Sequence, residues 1–332
     1  MTQQNVLVTG GAGYIGSHVV LQLQAAGYGV VVLDNLSTGF RQAVLNTPLI
    51  LGDTGDMNLI KQVLEKHQID AVMHFAAHTI VPESVANPLK YYGNNTCQSR
   101  SLLQCCVEYG VKHFIFSSTA AVYGIPQQIP ATEDSPLAPI NAYGSSKLMT
   151  EWMLRDVAQS SGLTYISLRY FNVAGCDPLG RIGQSTPNAT LLIKVACEAA
   201  VGKRDGINIF GTDYATPDGT CIRDYIHVDD LASAHLKALD YLQNGGDSTI
   251  FNCGYGHGFS VREVLDVVQR VNGAAFPCRE LPRRAGDPPL LISAADKIKK
   301  ILGWQPRYDD LETIVKTSLQ WEKKLKQLGA YN

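Results

Sequence analysis

Charged residues are scarce in this chain of 332 residues. Asp, Glu, Lys and Arg together make up 17% of it, against a usual value of about 25%. The formal net charge is only −2, which gives no global attraction for nucleic acid or for an anionic membrane surface. The hydrophobic fraction of 45% excludes a disordered chain. An anionic ligand must therefore be held by local groups.

Long apolar runs and paired-cysteine motifs are also missing. No run approaches the roughly 18 residues of a membrane span, and residues 1–5 carry neither a basic region nor an apolar signal core. Eight cysteines occur without a CxxC motif, so we expect reduced and mostly buried thiols. His74 and His78 fall at a predicted strand end rather than on a helix, so we predict no metal site. These features predict a cytoplasmic protein of about two domains.

Short apolar runs alternate with longer amphipathic stretches in the first half of the chain. Strands are predicted at residues 6–9, 30–33, 49–51, 71–75, 113–117 and 165–168, and helices at 14–26, 57–67, 88–109 and 143–161. Apolar strands separated by helices are typical of a parallel sheet covered on both faces. Right-handed crossovers make such a sheet doubly wound, which predicts an α/β fold.

The second half loses this rhythm, with Gly, Pro and Asp clustered at 176–188 and 211–220. Helices are predicted at 228–243, 294–302 and 309–327, and Ser260 with Glu263 forms a capping box for a helix that ends near Val271. We predict a larger domain made of residues 1–175 with returning segments near 222–252. Residues 176–221 and 253–332 would then form a second, smaller α/β domain.

Three glycines, Gly10, Gly13 and Gly16, follow the first predicted strand. Glycine allows positive φ and a close approach of the backbone to a pyrophosphate, and the helix start adds N–H donors. The spacing differs from GxGxxG, and an ordinary tight turn would also use glycine. Asp34, at the end of the second strand, can bind a ribose diol and would repel a 2′-phosphate, which favours NAD over NADP. Asp53 suits either an adenine contact or a turn.

Tyr143 and Lys147 are four residues apart on a predicted helix and therefore share a face. A free tyrosine has a pKa of about 10, and an ammonium group together with a bound nicotinamide cation can lower that pKa towards neutrality. The hydroxyl run that ends at Thr119 follows the fifth strand and would face the same crevice. Each feature alone is typical of a solvated helix face or a strand-end cap, and only their joint order is specific.

Eight segments carry a resemblance to a known family over nearly the whole chain. They are TGGAGYIGSH (9–18), LDNLSTG (33–39), HFAA (74–77), FSSTAAVYG (116–124), NAYGSSK (141–147), LRYFNVAG (168–175), DGTCIRDYIHVDDLA (218–232) and RRAGD (283–287). They resemble the extended short-chain dehydrogenase/reductase family, and within it the epimerases of nucleotide sugars. The resemblance implies a Rossmann domain with tightly held NAD, a smaller UDP-sugar domain, and a homodimer built on helices 88–109 and 143–161.

The resemblance also implies an activity and its residues. The activity is interconversion of UDP-galactose and UDP-glucose through a 4-keto sugar, with Tyr143 as the base, Lys147 on the nicotinamide ribose and Thr119 on the substrate. The implied NAD contacts are Gly10, Gly13, Tyr14, Ile15, Gly16, Asp34, Asn35, Asp53, Thr54, Phe75, Ala76, Ala77, Asn94, Tyr143, Lys147 and Phe171. The implied UDP-sugar contacts are Thr119, Asn172, the backbone at Asn208–Phe210, Arg223, Arg284 and Asp287.

Three positions depart from the pattern of that family. Thr79 stands where some members have Lys, and Leu191 lies in a stretch where relatives often have His. Leu291 occupies the gate near the 2-position of the sugar, so the use of UDP-N-acetyl sugars stays open.

Three other functions are compatible with parts of the sequence. A 4,6-dehydratase needs an added acid and base beside the catalytic hydroxyl, whereas Thr119 is followed by Ala120 and Ala121. A simple dehydrogenase would consume free NAD and release NADH. A redox-silent nucleotide-binding regulator would not need the Tyr143, Lys147 and Thr119 set.

Overall fold

The computed structural model describes residues 4–187, 189–284 and 287–329. Its strands, numbered along the chain, are β1 (Asn5–Thr9), β2 (Gly29–Asp34), β3 (Leu49–Leu51), β4 (Ala71–His74), β5 (His113–Ser117), β6 (Thr164–Tyr170), β7 (Asn172–Ala174), β8 (Ile207–Phe210), β9 (Ile222–Arg223), β10 (Tyr225–His227), β11 (Thr249–Cys253), β12 (Phe259–Ser260), β13 (Cys278–Leu281) and β14 (Leu290–Leu291).

The α-helices are α1 (Tyr14–Ala25), α2 (Met57–His67), α3 (Val81–Ala86), α4 (Pro88–Tyr91), α5 (Gln98–Glu108), α6 (Ala142–Ser160), α7 (Leu192–Ala200), α8 (Val228–Gln243), α9 (Val261–Asn272), α10 (Asp296–Leu302) and α11 (Leu311–Gln327). Short 3-10 helices cover Arg41–Val44 and Ala120–Tyr123. No helix of the described residues is long and apolar enough to cross a membrane.

Seven parallel strands form the main sheet, in the order β11-β6-β5-β4-β1-β2-β3. Alternate residues of β1 enter two different apolar clusters: Val6 and Val8 pack on the side of α1 and α8, and Leu7 packs on the side of α2 and α5. Since both faces are covered, the strands need apolar residues at successive positions, which is the pattern seen in the sequence. The predicted doubly wound α/β sheet is confirmed.

The sheet is completed by a late part of the chain. Strand β11 pairs with β6 in parallel, with Phe251 opposite Leu168, and α8 packs on α1. Smaller sheets join β7 with β10, β8 with β13, and β9 with β12 and β14. The apolar cluster on the α1 face continues into α7, α9 and α11 without a break, so the two-domain division stays a prediction.

The helical stretch predicted at 88–109 contains an irregularity. Between α4 and α5 the residues Tyr92–Cys97 form a π-helix. This form is rare, and its backbone hydrogen bonds join residues five positions apart instead of four. Hydrophobic periodicity is too coarse to show such a change. Sequence reasoning also missed α3, which is only six residues long. The helix predicted to start at Leu191 is present as α7.

Candidate active site and cofactor cleft

The glycine turn after β1 is so crowded that side chains are excluded at two positions. Gly10 has φ of 73°, and a Cβ atom there would lie 2.5 Å from the backbone nitrogen of Ala76. A Cβ on Gly16 would lie 2.3 Å from the carbonyl oxygen of Gly10. A Cβ on Gly13 would meet only that same oxygen, at 3.2 Å. The turn therefore packs tightly against the sheet and leaves open space above Gly13, as a pyrophosphate requires.

Helix α1 begins directly after Gly13 and has no acidic residue in its first turn. The N–H groups at its start have no acceptor within the helix, so they can donate to an anion. Tyr14 and Ile15 supply such N–H groups, while their side chains pack against the core. The Tyr14 hydroxyl donates to the carbonyl oxygen of Gly175 at 2.7 Å, so this side chain ties the turn to the end of β7.

Two carboxylates, those of Asp34 and Asp53, line the other end of the same cleft. Asp34 accepts hydrogen bonds from the backbone N–H groups of Ala12 at 2.9 Å and Leu36 at 2.8 Å. Both contacts fix the orientation of the carboxylate, which keeps further lone pairs for a diol. The Asn35 side chain donates to Asp53 at 2.7 Å. An acidic group is therefore held rigidly where an NAD ribose would lie.

One cavity brings together most of the residues predicted to bind NAD. Its lining includes the predicted residues Gly10, Gly13, Asp34, Asn35, Asp53, Thr54, Phe75, Ala76, Ala77 and Asn94. Sequence reasoning missed Ser37, Thr38, His78 and Gln98 in the same lining. Gln98 follows Asn94 by four residues, and Ser37 follows Asp34 in the same loop, so the spacing held a usable signal. The open space above Gly13, the N–H groups of α1 and the fixed Asp34 fit a dinucleotide with a free ribose diol.

The π-helix shapes one wall of this cavity. The Asn95 side chain accepts from the backbone N–H of His78 at 2.8 Å and donates to its carbonyl oxygen at 3.0 Å. It also donates to Ser146 on α6 at 3.1 Å, and the Asn94 amide donates to Asn95 at 3.0 Å. The irregular turn thus fastens the cavity wall to the helix that carries Tyr143.

His74 proves to be a satisfied core residue. One of its ring nitrogens lies 2.6 Å from the Thr9 hydroxyl and the other 2.8 Å from the Ser99 hydroxyl. Burial lowers the pKa of His74 to about 3, and the positive charge of Lys147 acts in the same direction. The ring is therefore neutral at physiological pH.

Tyr143, Lys147 and Thr119 are all buried and lie together at the carboxyl end of β5. Lys147 donates from Nζ to the carbonyl oxygen of Ser117 at 2.8 Å. The Thr119 hydroxyl oxygen accepts from the backbone N–H of Ala121 at 3.1 Å, and the Thr119 side chain lies close enough to Tyr143 to affect its pKa. A substrate hydroxyl placed between Thr119 and Tyr143 would be in reach of a proton donor and a proton acceptor.

The pKa values of the pair differ from the simplest expectation. Burial raises the pKa of Tyr143 above its ordinary value, although the Thr119 side chain opposes this effect. Burial lowers the pKa of Lys147 to about 7, while the negative charge of Glu151 acts against this shift. Without cofactor, burial outweighs the effect of Thr119 on the tyrosine pKa, and the positive charge of a bound nicotinamide would act in the opposite direction.

Phe171 and Leu291 border this group. Phe171 is buried in a small apolar cluster with Ala120 and Leu148, which are the neighbours in sequence of Thr119 and Lys147. Leu291 is half-buried and packs against the same cluster. The predicted gate residue thus lies beside the residue predicted to contact the nicotinamide. Leu191, the other position that departs from the family pattern, is exposed and directly precedes α7.

Four predicted UDP-sugar residues, which come from three separate segments of the chain, form one cluster. Arg284 donates from Nε to Asp287 at 2.9 Å, and Arg223 approaches the same carboxylate at 3.9 Å. The Arg284 guanidinium lies 4.6 Å from the centre of the Phe210 ring. Two positive charges against one carboxylate leave a net positive charge, which suits a pyrophosphate.

Strand β8 presents unused backbone groups near this cluster. The N–H groups of Ile207 and Gly211 donate to the β13 segment at 2.9 and 2.8 Å. Because backbone groups alternate in direction along a strand, those of Asn208 and Phe210 point to the opposite edge. Within the described residues this small sheet has only these two strands, so the backbone groups on that edge are available to a ligand. Asn172 is half-buried at the start of β7, and its N–H donates to Asp224 at 3.0 Å.

The chain has a doubly wound sheet, a cleft lined by Gly13 and Asp34, and the buried Tyr143. This combination places it among the NAD-binding α/β enzymes. The particular group follows from comparison with known proteins. The chain belongs to the NAD dependent epimerase/dehydratase family, whose family model matches residues 6–254.

Relatives and solved structures resemble the chain over nearly its whole length. A UDP-glucose 4-epimerase of Azospirillum brasilense is 56% identical over 97% of this chain and 93% of its own. A crystal structure of UDP-glucose 4-epimerase from Brucella ovis in complex with NAD is 44% identical, with a TM-score of 0.94 over 96% of this chain and 98% of its own. The UDP-Glc/GlcNAc 4-epimerase of Campylobacter jejuni is 52% identical, with a TM-score of 0.85 over 97% of this chain and 99% of its own.

Proposed function

We propose that the protein is an NAD-dependent UDP-glucose 4-epimerase, an isomerase that interconverts UDP-galactose and UDP-glucose in galactose metabolism. The observation that carries this proposal is the position of Thr119, Tyr143 and Lys147 at the carboxyl end of β5. The glycine turn and Asp34 supply the cofactor cleft, and the cluster around Asp287 supplies a pyrophosphate site. The similarity to named 4-epimerases supports the same conclusion.

The residues of the chain divide the proton chemistry between them. Tyr143 takes the proton from the 4-hydroxyl of the sugar and later returns it, while Thr119 donates a hydrogen bond to the same sugar oxygen. The ammonium group of Lys147 stabilises the phenolate form. NAD, when bound, accepts a hydride from carbon 4 and gives it back, so the sugar passes through a 4-keto state. No net oxidation occurs.

The first test needs no added cofactor. The protein as purified, incubated with UDP-galactose, should form UDP-glucose, because the cofactor is regenerated within each turnover. Parallel incubations with UDP-N-acetylgalactosamine and UDP-xylose show which other sugars the space at Leu291 admits. Stoichiometric release of NADH would indicate a dehydrogenase instead, and loss of water from the sugar would indicate a dehydratase. Binding of the nucleotides without any reaction would indicate a regulator.

We also propose that the protein forms a homodimer through the helices around α6. Large apolar side chains are exposed on neighbouring helices: Val85 is 67% exposed, Leu89 79% and Trp152 45%, with Met149 beside them at 37%. Helices α3, α4 and α5 all contact α6, so these residues lie on adjoining elements. Apolar surface of this kind marks an interaction site, and it includes the pair of helices singled out in the sequence.

Replacing Trp152 with Glu should convert this dimer into a monomer in sedimentation experiments, because a carboxylate cannot be buried unpaired in an apolar interface. The matched control is Leu179→Glu, which also places a carboxylate on an exposed apolar position, 75% exposed beside α11. The control should leave the mass unchanged. A Trp152→Glu protein with the mass of the unmodified protein would remove this interface from consideration.

Two further proposals concern location and domains. All eight cysteines are free thiols, which supports a reducing compartment, and we propose the cytoplasm.

We also retain the division of the chain into an NAD-binding part, with residues 1–175 and the segments near 222–252, and a UDP-sugar-binding part. The position of β11 in the main sheet supports the return of the chain to the first part.

A further inference from the structure

A buried ion pair lies directly behind the candidate catalytic group. Glu151 follows Lys147 by four residues and Tyr143 by eight, so all three lie on one face of α6. The side chains of Glu151 and of its partner Arg169 are each only 2% exposed. Arg169 donates to the carboxylate from Nε at 2.9 Å and from the terminal nitrogen Nη2 at 2.6 Å. The pair joins α6 to β6.

Glu151 and Arg169 form hydrogen bonds with the two ends of the segment Ser118–Tyr123, which carries Thr119. On one side the Ser118 hydroxyl donates to Glu151 at 2.5 Å. On the other side Arg169 donates to the Tyr123 hydroxyl at 3.0 Å, and that hydroxyl donates to Asn252 on β11 at 2.6 Å. Thr119 therefore lies between two anchored neighbours. The carbonyl oxygen that accepts from Lys147 belongs to the residue directly before the first anchor.

Stability alone does not account for such a pair. Removing two charges from water costs several kcal/mol per ion, and apolar replacements of a buried pair are often neutral or stabilising. A network that is fully satisfied does, however, fix geometry closely.

We propose that Glu151 and Arg169 are positioning residues of the epimerase site: they hold the segment from Ser118 to Tyr123 in place. This inference rests on the proposed function. Neither residue touches the reacting atoms, so both act through Thr119 and Lys147.

The charges around Lys147 give the inference a signature in the pH dependence. On α6 the ionisable neighbours are Tyr143 and Glu151, and β4 supplies the neutral His74. From β6, Arg169 pairs with Glu151 and the Tyr170 hydroxyl bonds to Ser117, whose carbonyl oxygen accepts from Lys147. Glu151 is the negative group that raises the pKa of Lys147 against the effect of burial. Removing its charge lowers the pKa of Lys147. Because turnover needs the ammonium form, the basic limb of the kcat profile should move to lower pH.

The test compares Glu151→Gln with Glu151→Asp in the holoenzyme, with UDP-galactose as substrate. The Gln variant should lower kcat about 10- to 100-fold with little change in KM, and should move the basic limb by about one pH unit. The Asp variant keeps the charge on a shorter side chain, so kcat should fall while the basic limb stays in place. The control is Glu198→Gln, which neutralises another buried, ion-paired carboxylate on α7 and should leave the profile unchanged.

Three outcomes decide between the possibilities. An unmodified protein without epimerase activity would refute the proposed function. An active unmodified protein, together with a Glu151→Gln variant of unchanged kcat and pH profile, would refute the positioning role alone. Should the Gln variant fail to fold, replacing both Glu151 and Arg169 with Met removes the charges without leaving one unpaired. Unchanged kcat in that double variant would also overturn the proposal.

Discussion

Replacement of Tyr143 with Phe should lower kcat by about 10²- to 10⁴-fold, the range typical of a lost general acid–base group. The change removes one oxygen atom and keeps the ring, which is buried beside Tyr91 and Ala142. The glycine turn and Asp34, which lie at the far end of the cofactor cleft, are untouched. The variant should therefore keep its NAD, measured as nucleotide released from the purified protein on denaturation.

The matched control for this experiment is Tyr28→Phe. Tyr28 donates to Asp240 at 3.2 Å and to Gln243 at 3.0 Å on α8, so its hydroxyl has a structural role only. The control should turn over as fast as the unmodified protein. A Tyr143→Phe protein with full kcat would remove the tyrosine from the mechanism, and one that has lost NAD would assign the defect to binding.

Neutralising Arg223 and Arg284 together, as Arg223→Gln with Arg284→Gln, should reduce kcat/KM by about 10²- to 10⁴-fold. Hydrogen bonds to charged groups contribute roughly 1.5–3 kcal/mol each, and both guanidinium groups would meet the pyrophosphate of the substrate. The loss should appear mainly in KM, because neither group lies at the reacting carbon. Measuring the initial rate as a function of UDP-galactose concentration gives both kcat and KM.

A neighbouring arginine provides the control for this prediction. Arg283 donates to Asp213 at 2.6 Å and lies over the ring of Tyr214, so its charge is already engaged. Arg283→Gln should leave KM close to that of the unmodified protein. A double variant at Arg223 and Arg284 with unchanged KM would contradict the assignment of the cluster around Asp287 to the UDP group.

Local patterns in the sequence predicted the sheet and one end of the site. The strand–glycine–helix order around Gly13 and the four-residue spacing of Tyr143 and Lys147 are short-range features, so they can be recognised without knowing the fold. The bounds of α2, α8 and β5 agree with the predictions for the same reason.

Long-range features could not be predicted from such patterns. Arg223 and Asp287 are separated by more than sixty positions, and only the family resemblance connected them before the structure did so. The π-helix at Tyr92–Cys97 leaves no trace in the hydrophobic periodicity. The contacts of Glu151 with Ser118 and Arg169 depend on the packing of three elements. The raised pKa of Tyr143 likewise results from burial by residues distant in sequence.

The place of β11 in the main sheet has a consequence for the order in which the protein can be assembled. During synthesis, residues 1–175 emerge first, but in this state β6 is an unpaired edge and α1 lacks its covering helix α8. An unpaired edge and an uncovered apolar face both favour association with other chains. The nascent chain must stay in this unfinished state until the segment from 176 to 253, including β8 and Arg223, has also been made. The main sheet therefore cannot be exchanged between enzymes as one consecutive piece of sequence.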